Sequence, residues 1–142
     1  GFVGYANGEN SAGTDPDEAA RFARETGVDA MAVSVGNVHL QQDKQGGLDE
    51  PRIRAIEAVT TVPLVIHGGS GVPVVQRQAL ARGSKICKFN IGTELRMVFG
   101  AALRDAVNRD PSRFDRVAIL KETHDPLVLA TRNVLRAFMA PQ

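Results

Sequence analysis

A parallel α/β fold amounting to half of an eight-stranded barrel is predicted by three features of the 142 residues. Short apolar runs rich in β-branched residues alternate with amphipathic helical stretches. Each run breaks at its C-terminal end into glycine, asparagine or histidine. About three and a half such repeats are present, where a complete eight-fold barrel takes about 250 residues. A small doubly wound sheet is the alternative arrangement of the same repeats.

Taken in order, residues 1–4 read as the remnant of a buried strand, and the chain is expected to open in mid-fold. Thr14-Asp15-Pro16-Asp17 supplies a cap, a proline suited to a first helical turn and an acidic residue, so a helix is predicted over 16–26, stopped by Gly27. Residues 28–35, VDAMAVSV, lack strict alternation and read as a parallel strand buried on both faces, closing at Gly36-Asn37-Val38-His39. The polar, glycine-ended stretch 40–47 reads as a loop with the character of a lid. A second helix is predicted from Asp49-Glu50-Pro51 to Val59, and VPLVIHGGSG is a strand that breaks into glycines. A third helix runs from Pro73 to near Gly83, SKICKFN forms a strand to Asn90, and Thr93 caps a long amphipathic helix to about Asn108. Beyond Asp110-Pro111 a short helix precedes another, which is predicted to start at Pro126, capped by Asp125, and to end near Met139.

Composition narrows the function. The chain is 43% apolar, enough for a real core, and its 17 basic and 16 acidic residues form no run that could track a nucleic-acid backbone. The single cysteine, Cys87, cannot form an internal disulfide, and no apolar stretch nears the roughly 20 residues that span a bilayer. The start lacks the basic and apolar segments of a secretion signal, so a cytoplasmic setting is expected. Cys87 itself, inside an apolar strand, is expected to be a small buried hydrophobe.

In a parallel α/β fold the chemistry gathers at the C-terminal ends of the strands. Those positions are His39, His67-Gly68-Gly69-Ser70 and Asn90-Ile91-Gly92-Thr93. Gly68, Gly69 and Gly71 permit close backbone approach, and their amides beside Ser70 form a candidate anion cradle. The second segment repeats the device before a helix, which points to one phosphate held between the two. Glycines after strands also make ordinary tight turns, so neither segment alone establishes a ligand. His39 and His67 close consecutive strands and could converge on a cation, although strand-end histidines also serve as hydrogen-bonded structural residues. His124, between Thr123 and Asp125, reads as a surface or capping residue.

TDPDEAARFARETGVDAMAVSVGNVH, VPLVIHGGSG and KFNIGTELR, in that order, resemble the class II fructose- and tagatose-bisphosphate aldolases over nearly the whole chain. The pairing of HGGSG with a following NIGTE, and GNVH upstream, is far more specific than a single glycine motif. The resemblance implies the C-terminal half of a zinc-dependent aldolase barrel, with His39 and His67 as two metal ligands. It implies that Leu40, Gly68, Gly69, Ser70, Asn90, Ile91, Gly92 and Thr93 hold dihydroxyacetone phosphate, with Asn90 facing its reacting end. Zinc would stabilise the enediolate formed as a ketose 1,6-bisphosphate is cleaved to dihydroxyacetone phosphate and glyceraldehyde 3-phosphate, with no lysine Schiff base. A monovalent cation beside the zinc, a homo-oligomer and a place in glycolysis or related carbohydrate metabolism are implied in the same way.

The family pattern also departs from this chain. Its third zinc histidine, and the aspartate before it that protonates the aldehyde oxygen, belong to an earlier strand, and neither is present here. A further metal-site glutamate of the family falls just before residue 1. Glu9 stands in the loop where the family carries a mobile acidic residue assisting proton transfer, at a spacing that is not the usual one. Leu40 stands where many relatives have glycine. A phosphosugar-binding half-barrel and a non-catalytic module, in which half-barrels pair to bury strand edges, are the other readings.

Overall fold

The computed structural model describes residues 4–5, 13–39 and 47–139. The chain divides into two compact units, Gly1–Gly92 and Thr93–Gln142.

The first unit carries the strands. β1 (Gly4–Tyr5) is followed by α1 (Pro16–Thr26), β2 (Met31–Val33), β3 (Val38–His39), α2 (Glu50–Val59), β4 (Leu64–Ile66), α3 (Val74–Gly83) and β5 (Ile86–Phe89). All the pairings are parallel: β1 with β3, and β2 with β4 with β5. With β2 and β3 counted as one limb, the two sheets follow chain order with no reversal and correspond to four of the eight positions of a (β/α)8 barrel.

Local chemistry explains the helices. Asp15 caps α1 by accepting from the amides of Asp17 at 2.9 Å and Glu18 at 3.0 Å, and Gly27 ends it in a left-handed conformation at φ 64°. Ala19, Ala20 and Ala23 form its buried stripe, small enough for close packing on α2. Asp49 caps α2, and Pro51 sits in its first turn, where a missing N–H breaks no helical bond. Lys85 closes the other end of α2, its ammonium donating to the carbonyls of Glu57 at 2.6 Å and Thr60 at 2.9 Å.

The core lies on one face of the sheet. Met31, Val33, Leu64, Ile66 and Ile86 are buried there beneath Ile53 and Ile56 of α2 and Leu80 of α3. Burying each such side chain is worth about 1.5–3 kcal/mol. The opposite face is open: the in-register row of Ala32, Val65 and Lys88 is exposed at Ala32 and Lys88 and half-buried at Val65. The strands are thus not buried on both faces, as their apolar sequence predicts. In a closed barrel that second face is the interior, which side chains from the other strands fill. Within the first unit, α1, α2 and α3 all contribute to the core on this one face, as helices of a barrel do.

Three further expectations are corrected. The predicted strand 28–35 shortens to Met31–Val33 because its later ladder groups go elsewhere: Thr14 bonds both backbone groups of Ser34, and the Val35 amide goes to Asn37. His39 does not close that strand; after a left-handed turn at Gly36, φ 87°, it lies on β3, opposite Tyr5. Cys87 is exposed rather than buried. The register runs Leu64↔Ile86 and then Val65↔Lys88, so Cys87 is the extra residue of a bulge on the edge strand.

The second unit is helical: α4 (Thr93–Arg109), α5 (Arg116–Lys121) and α6 (His124–Met139). Thr93 is the first helical residue of α4 rather than its cap. The last helix starts at His124, two residues earlier than predicted. Buried Thr123 supplies the carbonyl that accepts from Leu127, which leaves Asp125 and Pro126 inside the first turn. Glu122 pairs with Arg109 at 2.7 Å and with Arg113, which ties the α5–α6 corner to the end of α4 and the segment after it. Among the described residues no helix is long and apolar enough to cross a membrane.

Candidate active site at the strand ends

The C-terminal ends of β2, β4 and β5 are joined by a small polar network. β4 and β5 extend one rung past their ladder, where the Asn90 amide donates to the Ile66 carbonyl at 2.8 Å. This sets Asn90 beside His67, the first residue after β4, and the Asn90 side-chain nitrogen lies 3.1 Å from His67 Nδ1. On the other side, Asn37 Nδ2 donates to the His67 carbonyl at 2.9 Å.

The glycine segment after His67 makes a single 3₁₀ turn over Gly69–Gly71, entered through Gly68 at φ 65°. Gly69 is limited by space rather than by φ: a β-carbon there would stand 3.1 Å from the Asn90 carbonyl and 3.3 Å from Ile91 Cγ1, so that a neighbour would have to shift. The Gly69 amide donates to that same carbonyl at 3.0 Å, and the Gly92 amide donates to Ser70 Oγ at 3.2 Å. The two predicted cradles are therefore one clasped structure. The Gly69, Gly71 and Gly92 amides, expected to face an anion, are spent inside the first unit, Gly71 on the Gly68 carbonyl at 3.1 Å.

The segment before α2 is held to the same corner. Gln76 on α3 accepts from the Leu48 amide at 2.7 Å and donates to the Leu48 carbonyl at 3.1 Å and to Glu50 at 2.9 Å. Asp49, the cap of α2, donates its amide to the Val35 carbonyl at 2.8 Å. The Arg52 amide, bonded to its carboxylate, holds Asp49 below its ordinary value of 3.8, with the Arg52 guanidinium adding to the effect against a burial contribution of opposite sign.

Of the residues singled out from sequence, His67, Gly68, Gly69, Ser70, Asn90, Ile91 and Gly92 lie in this one corner. Thr93 opens the second unit. Glu9 and Leu40 lie outside the described residues, and His39 is placed by its backbone on β3. The donor set fits a borderline-soft cation in kind, since an imidazole at a strand end is a common ligand of such cations; the Asn90 nitrogen donates to the ring and so does not take the accepting part of a metal ligand's outer partner. The set is incomplete in number, since among the described residues no three histidine, cysteine or acidic groups cluster. Sequence reasoning missed Asn37 and Gln76. Asn37 carried one signal, a polar residue between two strand-like runs in GNVH, whereas Gln76 carried none.

Among the described residues, cavities also lie away from the strand ends. One of about 350 Å³, lined by Ala23, Glu57, Val62 and Lys85, sits where the chain enters β4 and β5; another of about 380 Å³ is lined by Thr14, Phe22 and Met31. Strand-end chemistry, rather than size, marks the site in a parallel sheet.

Solved structures share this architecture. The YdjI aldolase of Escherichia coli K12 matches with a TM-score of 0.67 at 28% identity, over 88% of this chain and 44% of its own. The fructose-bisphosphate aldolase of Campylobacter jejuni matches at 0.63 and 17% identity, over 89% and 45%. A Coccidioides immitis protein matches at 0.72 and 19% identity, over 98% and 50%. The chain thus spans about half the length of each. The profile of the family described as fructose-bisphosphate aldolase class-II matches residues 1–141, and with the strand-end network in view the chain belongs to that family.

Proposed function

We propose that this chain forms the C-terminal half of the barrel of a zinc-dependent class II ketose-bisphosphate aldolase. The reaction is reversible cleavage of a ketose 1,6-bisphosphate to dihydroxyacetone phosphate and glyceraldehyde 3-phosphate. The meeting of His67 and Asn90 at the ends of neighbouring parallel strands, in a chain of this family, carries the reading.

His39 and His67 would hold the metal, with the remaining ligands supplied from outside these residues. Zinc, when bound, polarises the ketone oxygen and stabilises the negative charge left as the carbon–carbon bond breaks. Asn90 orients the His67 ring and stands next to where the substrate's reacting end would lie. The clasp between Gly69 and Asn90 keeps the two strand ends in fixed relation, so the ring does not reorganise as charge develops. Phosphate binding is assigned to Gly68, Gly69, Ser70, Asn90, Ile91 and Gly92, with Leu40 and Thr93 as further candidates from the resemblance. Glu9 assists proton transfer, and the principal acid is assigned to a strand outside this chain. We infer a cytoplasmic homo-oligomer as the working form.

The test is release of dihydroxyacetone phosphate from fructose 1,6-bisphosphate or tagatose 1,6-bisphosphate by the complete protein. Activity is expected to vanish with a chelator and return with zinc. His67→Ala should fall to background while His124→Ala stays at the native rate, since His124 is exposed and its Nδ1 pairs with Asp125 at 2.9 Å. Equal losses would overturn the assignment. A protein that binds dihydroxyacetone phosphate without cleaving either bisphosphate would favour the binding half-barrel.

A further inference from the structure

Asn37 is 2% exposed, and both polar atoms of its side chain are engaged. Its Oδ1 accepts from the Val35 amide at 2.8 Å, and its Nδ2 donates to the His67 carbonyl at 2.9 Å across a separation of 30 residues. The backbone cannot make this second tie. The β2–β4 ladder stops at Val33↔Ile66, one residue short of His67, and β2 then bends away through Gly36. The Asn37 side chain supplies the rung that the departing backbone leaves unmade. Two residues later the chain reaches His39 on β3. One buried side chain therefore spans from the backbone leading into His39 to the backbone of His67. Burying an amide is costly unless it is hydrogen-bonded, and a side chain needed for packing alone would carry no polar atoms.

We propose that Asn37 is a positioning residue for the metal centre, setting the separation between the backbones that carry His39 and His67. The inference rests on the reading of those two histidines as ligands. Asn37 touches neither the cation nor the substrate; it acts through the His67 main chain. Outer partners of this kind tune affinity by about 10–100-fold.

The experiment compares zinc affinity, by chelator competition, with the melting temperature of the zinc-free form, both on the complete protein. Asn37→Asp keeps an oxygen for the Val35 amide but turns an acceptor toward the His67 carbonyl. Asn37→Ser, too short to reach that carbonyl, is a milder second variant should the first fail to fold. Ile56→Val, a core change on α2, lowers stability without touching either histidine's backbone. Both Asn37 variants should weaken zinc by about 10–100-fold, while Ile56→Val leaves zinc affinity unchanged at a comparable loss of melting temperature. If zinc affinity instead follows zinc-free stability across all the variants, Asn37 only supports the fold and the inference fails. A native protein that binds zinc beside an Asn37→Asp variant of equal affinity overturns this inference alone. A native protein that binds no zinc overturns the aldolase reading and this inference with it.

Discussion

Gly69 shows how little freedom a single residue has at the strand ends. Its amide and the Asn90 carbonyl are in hydrogen-bond contact, and a β-carbon would press on that carbonyl and on Ile91 Cγ1. Gly69→Ala should therefore cost about 1–3 kcal/mol as an overpacked site and should also pull Asn90 away from His67. Thermal melting reads the first effect and the KM for the bisphosphate the second; a variant with native stability and native KM would show that the clasp has slack. At this scale His67, Asn90 and the glycines were legible because each ends an apolar run and together they make a specific pairing. Asn37 was not, since its partner is 30 residues away and its one local signal, a polar residue within GNVH, does not point to that partner. Cys87 was misread for a related reason: a bulge is a mismatch between two strands and cannot be seen in one.

The elements were more legible than the bonds between them. Asp15-Pro16 and Gly27 bound α1 where sequence places it, as does Asp49 for α2, because caps act over two or three residues. The start of α6 was missed because the carbonyl of buried Thr123 accepts the first bond, from Leu127, and leaves Asp125 inside the first turn. The Asp49 cap gives a prediction at this scale. Asp49→Ala should destabilise by about 1 kcal/mol, with faster amide exchange confined first to α2. Asp49→Asn keeps an oxygen for the cap but loses the charge that faces Arg52 and the acceptor for Arg52 Nε. Because the folded Asp49 value is lowered, the advantage of native over Asp49→Asn is fully present above the ordinary value of 3.8 and is lost as pH falls through the folded one. Urea midpoints of the two proteins should converge in acid; a gap that persists there would show that charge is not its source.

For the molecule as a whole, the sheet has one covered and one open face, and β5 presents an unpaired edge among the described residues. The 142-residue chain by itself should be marginally stable or self-associating; a monodisperse monomer with a cooperative melt, read by sedimentation and calorimetry, would contradict this. Sequence foretold the parallel repeat but not this asymmetry, because an apolar strand looks the same whether its second face meets helices or a barrel interior. The row of Ala32, Val65 and Lys88 turns that ambiguity into a difference in tolerance. In the isolated chain Ala32 is exposed and can accept a leucine at little cost, whereas inside a closed barrel the same change meets neighbouring side chains. A selection for folding, run once on these residues alone and once on the complete protein, would accept different residues along this row and the same residues beneath α2 and α3, so that a pattern of permitted mutations reports whether the barrel has closed.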